Sequence, residues 1–430
     1  MTFSRNWGAG TAMAVTLLGA TAAKAEPMAP EPPPPVAPWY EAIEFEAFAD
    51  AYASVDWNFP KPHGGERRVT RSFDRQDGFA LAWVGVDASY EPDPVGGMLS
   101  LRFGPTATEH AHGDANIDLQ YVGQAFASWR PGGVDGPVRL DFGKFDTIYG
   151  AEVAESQKNM NYTRGVLYQF AQPVFHTGLR AEAQLIPEMS LTALAVNGWN
   201  NSQDNNTGKT FGLQANVKPS DALSASLGWL GGPEQDDSIT TNCAAGTEYD
   251  PAAKGCAPAP GAPASEEVVD RGGANKFEAW RHLVDLVVSA NPLETVSVVV
   301  NADYGVEGVR SLGADGETTT TTKKWYGAML GARLQLDETY AIAARGEYYK
   351  APDGYMPSLT VNEEPVTDLT LATATLTLEA RPTENLILRL ENRGDFVLDA
   401  SPNKEIFQKA ERDSAKNLLT TTLGVVVTTN

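Results

Sequence analysis

Helical periodicity is almost missing from this sequence, and so are the residues from which most catalytic and metal centres are built. There are five histidines and two cysteines in 430 residues. His63, His176 and His282 stand apart, and no CxxC or Cys/His pair has metal-site spacing. No Gly-x-Ser-x-Gly elbow occurs, so the usual hydrolase signature is absent. Beyond the amino terminus no segment reaches the ~18 uninterrupted apolar residues of a membrane helix. Basic residues are scarce, with 33 Lys and Arg against 55 Asp and Glu. Such an acidic chain should not bind nucleic acid.

The amino terminus has a pattern of its own. Arg5 precedes the apolar run Thr11–Ala23 and the small-x-small triplet Ala23-Lys24-Ala25. A secretory signal peptide over 1–25, cleaved after Ala25, is expected. Its removal leaves 31 Lys and Arg against 55 Asp and Glu, a net −24. Residues 26–39 are Pro-rich (PMAPEPPPPVAP) and read as an extended periplasmic spacer.

From residue 40 to 430 short alternating segments recur, bounded by Gly, Pro, Asn or Asp. They predict sixteen strands, at about 40–54, 79–90, 97–104, 118–130, 136–145, 176–186, 190–199, 209–218, 222–231, 279–290, 294–304, 324–336, 340–350, 367–380, 385–397 and 416–429. Connections after even strands are short (EPDPVG, RPGGVDG, PEM, KPSDA, NPLE, DETY, RPTEN), and those after odd strands are long. This parity predicts an all-β, antiparallel transmembrane β-barrel with short periplasmic turns and long extracellular loops. A β-sandwich would show no such parity; a secreted β-solenoid is the remaining alternative.

Within the strands one face is apolar and the other charged. Val138, Leu140 and Phe142 oppose Arg139 and Asp141; Leu179, Ala181, Ala183 and Leu185 oppose Arg180, Glu182 and Gln184. Arg345 with Glu347, Glu379 with Arg381, and Arg389 with Glu391 repeat the motif of an Arg and an acid two residues apart on one face. A dry core could hold so many charges only at heavy desolvation cost, whereas a wet lumen can hold them. Strand by strand, the solvated face of a soluble sheet reads the same; loop parity decides for the barrel. Trp39, Tyr40, Trp129, Trp199, Trp229, Trp280, Trp325 and Tyr326 sit at strand ends and suit interfacial girdles.

FGKFDTIYGAE (142–152), NMNYTRGVLYQFAQPVFHTG (159–178) and VNGWNNSQDNN (196–206) resemble the OmpL-like β-barrel porin family of bacterial outer membranes. The likeness is strongest over about 120–232 and architectural elsewhere. It implies a passive or weakly selective pore in a Gram-negative outer membrane, with no catalytic residues. Barrels of this kind usually end in an aromatic residue, whereas this chain ends VVVTTN, with Leu423, Val425 and Val427 on one strand face.

Four further features can be placed. Asn197–Lys209 joins strands seven and eight; it lacks the spaced carboxylates of an EF-hand, and its Asn200-Asn201-Ser202 and Asn205-Asn206-Thr207 sequons would rarely meet glycosylation in a bacterium. It reads as a loop tip. Glu109, His110, His112 and Asp114 could ligate zinc or copper, but nothing fixes their geometry, so no metal or cofactor is expected. Thr318–Thr322 reads as a polar outer loop, and Asp399–Ala415 as an outer loop able to form a short helix. Cys243 and Cys256 are expected to form a local disulfide in an oxidising compartment.

The sequence thus points to a porin passing small hydrophilic solutes or ions, surrounded by outer-membrane lipid, with a homo-oligomer (trimer) as one arrangement. A lumen of this size needs narrowing. The loop 146–175 offers Asp146, Glu152, Glu155 and Lys158, opposite the wall residues Arg139, Arg180, Arg345 and Arg389, as a constriction with a transverse field. The competing expectation is that this loop folds outward over the mouth. A structural or adhesive surface barrel is the alternative function, and a barrel enzyme ranks third.

Overall fold

A computed structural model describes residues 39–60, 68–91, 93–250, 252–253, 255–271, 273–313, 317–361, 364–410 and 413–429. The expected signal peptide, the Pro-rich spacer up to residue 38, and His63 lie outside the described residues.

Sixteen antiparallel strands close into one barrel. They are β1 (Glu44–Asp56), β2 (Gly78–Tyr90), β3 (Val95–Phe103), β4 (Val122–Trp129), β5 (Val138–Asp146), β6 (Phe175–Ile186), β7 (Met189–Val196) and β8 (Thr210–Ser220). There follow β9 (Leu223–Gly232), β10 (Arg281–Leu293), β11 (Val296–Leu312), β12 (Thr318–Gln335), β13 (Tyr340–Ala351), β14 (Thr367–Thr383), β15 (Leu386–Ser401) and β16 (Asn417–Thr428). β16 pairs with β1 from Phe48↔Thr428 to Asp56↔Thr420, so no backbone edge is left in the sheet. No helix among the described residues is long and apolar enough to cross a membrane, which says nothing of a β-barrel.

Alternation sets the two faces. On β14, Ala374, Leu376 and Leu378 are exposed outward while Thr373, Thr375, Thr377 and Glu379 are buried inward. Leu179 and Phe142, cross-strand neighbours, both face out. An outward band of Leu, Val and Phe with an inward polar face is the arrangement that lipid outside and water inside select.

Every expected strand is present; β1 starts at Glu44 after a 3₁₀ turn at Trp39–Ala42, and the larger differences lie on the outer side. The β11–β12 hairpin continues to Leu312 and Thr318, so the threonine run is strand rather than loop, pairing as Arg310↔Thr320 and Ser311↔Thr319. β-branched threonines favour extended backbone even above the membrane. Among its described residues the 399–415 segment extends β15 to Ser401, adds the small pair Phe407–Gln408 with Ser414–Ala415, and has Ala410 in a 3₁₀ conformation. The loop 233–280 folds on itself as two short hairpins, Ser238–Cys243 with Ser265–Arg271 and Thr247–Asp250 with Gly255–Pro258. Cys243 and Cys256 are disulfide-bonded there, with Cα atoms 5.5 Å apart.

The girdle needs one correction. Trp129 is exposed at the end of β4, but Trp199 and Trp325 are buried inside, edge to face with ring centroids 6.1 Å apart. They belong to an apolar cluster in the outer half of the barrel. There Phe145, Tyr149, Leu167 and Phe170 pack on the inward side chains Leu194, Leu283, Tyr349 and Leu371. Two large aromatic rings find more apolar surface against this cluster than at an interface.

Candidate functional site

The segment that supplies Tyr149, Val166, Leu167, Phe170 and Ala171 to this cluster is the loop 147–174, between β5 and β6. It lies within the barrel. Its stems are at β5 and β6, and its middle part, Ser156–Val166, is bound by β13, β14 and β15, eight strands away around the wall and so diametrically opposite. Arg389 of β15 donates to the carbonyl oxygens of Asn159 (2.8 Å), Asn161 (3.1 Å) and Ser156. Glu391 accepts from the backbone N–H of Tyr162 (2.7 Å) and Thr163 (3.1 Å) and from the Thr163 hydroxyl. Arg345 of β13 pairs with Glu152 and donates to Thr163 O (2.6 Å), while Glu347 accepts from Leu167 N–H (3.2 Å). Two glycines permit the close approach. A Cβ on Gly424 would sit 2.2 Å from the Tyr162 ring, and one on Gly165 would sit 2.0 Å from the Glu347 carboxylate.

The flanks of the loop are also tied. On one side Glu155 binds Arg102 of β3 (2.6 Å), which also binds Asp87 of β2 (2.6 Å). Asp50 of β1 accepts from the Tyr162 hydroxyl (2.7 Å) and the Ser156 hydroxyl (2.6 Å). On the other side Asn301 of β11 accepts from Ala151 N–H (3.1 Å), and Trp325 of β12 donates to Ala171 O (3.1 Å). Burial pushes the Glu152 carboxyl above its ordinary range despite Arg345 beside it. At Glu155 burial acts the same way, but Arg102 and Lys158 outweigh it and the group is held low, as a carboxylate.

A strand-closed barrel with a long loop bound across its lumen is the plan of a pore with an internal restriction. The sequence matches the family described as "Putative beta-barrel porin-2, OmpL-like" over residues 42–428. The chain belongs to this family. Its localisation is accordingly the Gram-negative outer membrane, and it is a porin-type barrel. Similar solved structures include OmpT of Vibrio cholerae (11% identity, 90% of this chain and 97% of that chain, TM-score 0.50). OprB of Pseudomonas putida (11%, 90% and 94%, 0.51) and an anion-selective porin from Comamonas acidovorans (11%, 90% and 99%, 0.50) are similar too. At that identity they speak for the fold alone. No curated protein matches this sequence.

In this porin the residues singled out from the sequence fall into three groups. Glu152, Glu155, Arg345, Glu347, Arg389 and Glu391 meet at the inserted loop. Arg345 and Arg389 therefore do not face loop acids across open water: Arg345 is ion-paired with Glu152, and Arg389 is spent on Glu379 and loop carbonyls. Asp146 ends β5 half-buried, its N–H donated to Gln124, and Lys158 is exposed with no ion pair among the described residues. Arg139, Asp141 and Arg180 make a separate cluster nearer the short turns, with Arg139–Asp141 at 2.9 Å and Arg180–Asp141 at 2.7 Å. Glu182, opposite Arg139 across the ladder, is exposed in that region. Glu379 gathers Arg333 (2.7 Å), Arg381 (3.0 Å) and Arg389 (2.7 Å).

The outer loops hold two surprises. Asn197–Lys209 is more than a turn: Asn200 Oδ1 accepts from Val174 N–H (2.7 Å), Ser202 donates to Asp114 (2.6 Å), and Trp199 N–H donates to Glu234 (2.7 Å). Glu109, His110, His112 and Asp114 do not converge on a metal. Asp114 is ion-paired with Lys144 at 2.6 Å, His110 lies among Phe73, Trp83 and Phe175, and no metal-holding group occurs among the described residues. Residues that sequence reasoning passed over are Asp50, Asp87, Arg102 and the pair Arg393–Asp395 (2.9 Å), which binds the Arg164 carbonyl. Arg393 and Asp395 do carry the two-residue Arg–acid spacing and were findable; Arg102 has no acid beside it, because its partners come from other elements.

Proposed function

We propose that this porin is a passive, weakly cation-preferring diffusion pore for small hydrophilic solutes, with the loop 147–174 as its constriction. The observation that carries this reading is the path of that loop from β5 and β6 to the far wall. A wide lumen becomes a sieve when a fixed segment crosses it, and this one is fixed by charge-assisted bonds at the far wall and on one flank and by neutral hydrogen bonds on the other. Cation preference follows from the net −24 of the chain without its first 25 residues. Catalysis has no part in this reading, and neither has a cofactor.

Purified protein in planar bilayers tests it. Stepwise ion currents that scale with bulk conductivity are expected. Their absence would sink the pore and favour a surface barrel whose outer loops bind a partner.

A further inference from the structure

Below the inserted loop, towards the short turns, the inner wall divides into two kinds of sector. On β5 and β6, and again on β12 and β14, it is charged: Arg139 and Arg180 meet Asp141 at 2.9 and 2.7 Å, and Arg333 and Arg381 meet Glu379 at 2.7 and 3.0 Å. On β7–β10 the inward face below the buried Asp285 carries no charge among the described residues as far as Glu188 and Lys218 in the turns, and Lys218 is paired with Asp221 at 2.9 Å. What stands there instead is Ser190, Asn216, Ser224, Ser226 and Ser289, around a cavity of about 310 Å³.

The ladder gathers these side chains into one patch. Ser190 pairs with Asn216, Asn216 with Ser226, and Ser224 with Ser289, so each shares the inward face of its neighbour. The row continues into Gln184, which pairs with Ser190 and lies two residues from Glu182. All five are half-buried rather than closed off. No hydrogen bond to another described residue engages their side chains. Their hydroxyls and amide are therefore left to water or to solute. The patch begins under the loop: Gln214, two residues from Asn216 on the same face of β8, donates to the Ile148 carbonyl, and the Tyr149 hydroxyl donates to the Trp229 carbonyl at 2.8 Å.

A neutral wall and a charged wall sort solutes differently. An ion beside low-dielectric protein is stabilised by fixed opposite charge and is poorly held where there is none. Hydroxyls and amides both donate and accept, as the hydroxyls of a sugar do, and neighbours on paired strands stand about 5 Å apart, close enough for one small ring to touch two. We propose that this patch is a binding surface for neutral polyhydroxylated solutes of mono- or disaccharide size, which leave the constriction along β7–β10 while ions keep to the charged sectors. The proposal rests on the porin reading.

Glucose flux into proteoliposomes carrying the full barrel, read beside single-channel current in potassium chloride, tests it. At low glucose concentration the flux scales with partition into the pore. Ser190→Ala, Asn216→Leu and Ser226→Ala together remove hydrogen-bonding groups at similar size. They should lower glucose flux about 3- to 10-fold, the worth of one hydrogen bond, and leave conductance nearly unchanged. Asn216→Gln with Ser226→Thr keeps those groups and should keep the flux. Current shows that a variant has folded, and Ser226→Ala alone decides on the same readings should the triple variant not conduct. Glucose flux unchanged by the lost groups, flux and conductance falling by one factor, or current without glucose flux in the unsubstituted protein would overturn the proposal and leave the pore. No current from the unsubstituted protein would sink the porin reading itself, and this proposal with it.

Discussion

Glu391 on β15 accepts the backbone N–H of Tyr162 at 2.7 Å, half the barrel's circumference away from the strands that carry Tyr162's loop. The same carboxylate takes Thr163 N–H, the Thr163 hydroxyl and the Thr377 hydroxyl. Irregular backbone inside a protein must have its N–H and C=O groups met. Here side chains of the wall meet them. Glu347 and Glu391 take loop N–H groups, while Arg345 and Arg389 donate to loop carbonyls. Acids and arginines two residues apart on one strand face thus form a template that replaces strand pairing, and charge-assisted bonds make it stiff.

Removing one part of the template should loosen the loop without opening the barrel. Glu391→Ala leaves two loop N–H groups and the Thr163 and Thr377 hydroxyls without their acceptor, at about 1–3 kcal/mol for each that stays buried. Single-channel conductance should rise and open-state noise should increase, while the barrel's heat-modifiable mobility on gels is unchanged. Conductance equal to that of the unsubstituted protein would mean that Glu391 does not hold the constriction.

The faces of β6 can be checked directly. Leu179, Ala181 and Ala183 point outward, and Arg180 and Glu182 point inward. Cysteines at 180 and 182 should react with a membrane-impermeant thiol reagent in intact membranes, and cysteines at 179, 181 and 183 should not, because a one-residue slip exchanges the faces. Equal labelling of both sets would contradict a lipid-embedded wall.

The disulfide is predicted to act locally. Cys243 and Cys256 brace the hairpins of the loop 233–280, and closing so short a loop stabilises it by roughly 3 kcal/mol. The closed backbone ladder holds the barrel without it. Replacing both cysteines with serine should increase proteolysis between residues 233 and 280 and leave the barrel's thermal unfolding in place. A large fall in the barrel's unfolding temperature would show that the hairpins carry global stability.

Much of this architecture was legible because it depends on two local signals. Alternation fixed which face each strand presents, and turn length fixed which end is periplasmic, so even β11, misjudged at its outer end, was placed correctly in order. The site was legible only in part. Arg345, Glu347, Arg389 and Glu391 stood out because Arg and acid recur two apart, yet spacing along a strand does not say what fills the lumen. Their partners are backbone atoms of Asn159, Tyr162, Thr163 and Leu167, which carry no side-chain signature. Trp199 and Trp325 misled for a related reason: an aromatic at a strand end looks the same whether lipid or an inserted loop lies against it.

Selectivity should respond to the loop acids. Asp146→Asn, Glu152→Gln and Glu155→Gln together replace three carboxyls with amides and leave Arg345 and Arg102 without their loop partners. The reversal potential in a salt gradient should move towards anions. The shift should be largest at low ionic strength, because screening sets in over about 10 Å at 0.1 M salt. A reversal potential unmoved by the triple substitution would place these groups away from the ion path.

Packing of the outer loops should depend on pH through Glu234. This carboxyl accepts from Trp199 N–H and the Thr210 hydroxyl, both at 2.7 Å. Burial pushes its pKa up to about 7, even with Arg281 pulling it down. A raised carboxyl pKa means that the folded arrangement favours the protonated form. Its contribution is therefore complete below the ordinary value near 4.3 and is lost as pH rises from there through about 7. Hydrogen exchange at the Trp199 amide, corrected for its intrinsic pH dependence, should show protection falling across that window. Glu234→Gln, which imitates the protonated group, should remove the dependence and keep the protection. Protection that instead rises with pH would mean that the attraction of Arg281 outweighs the cost of burying the charge.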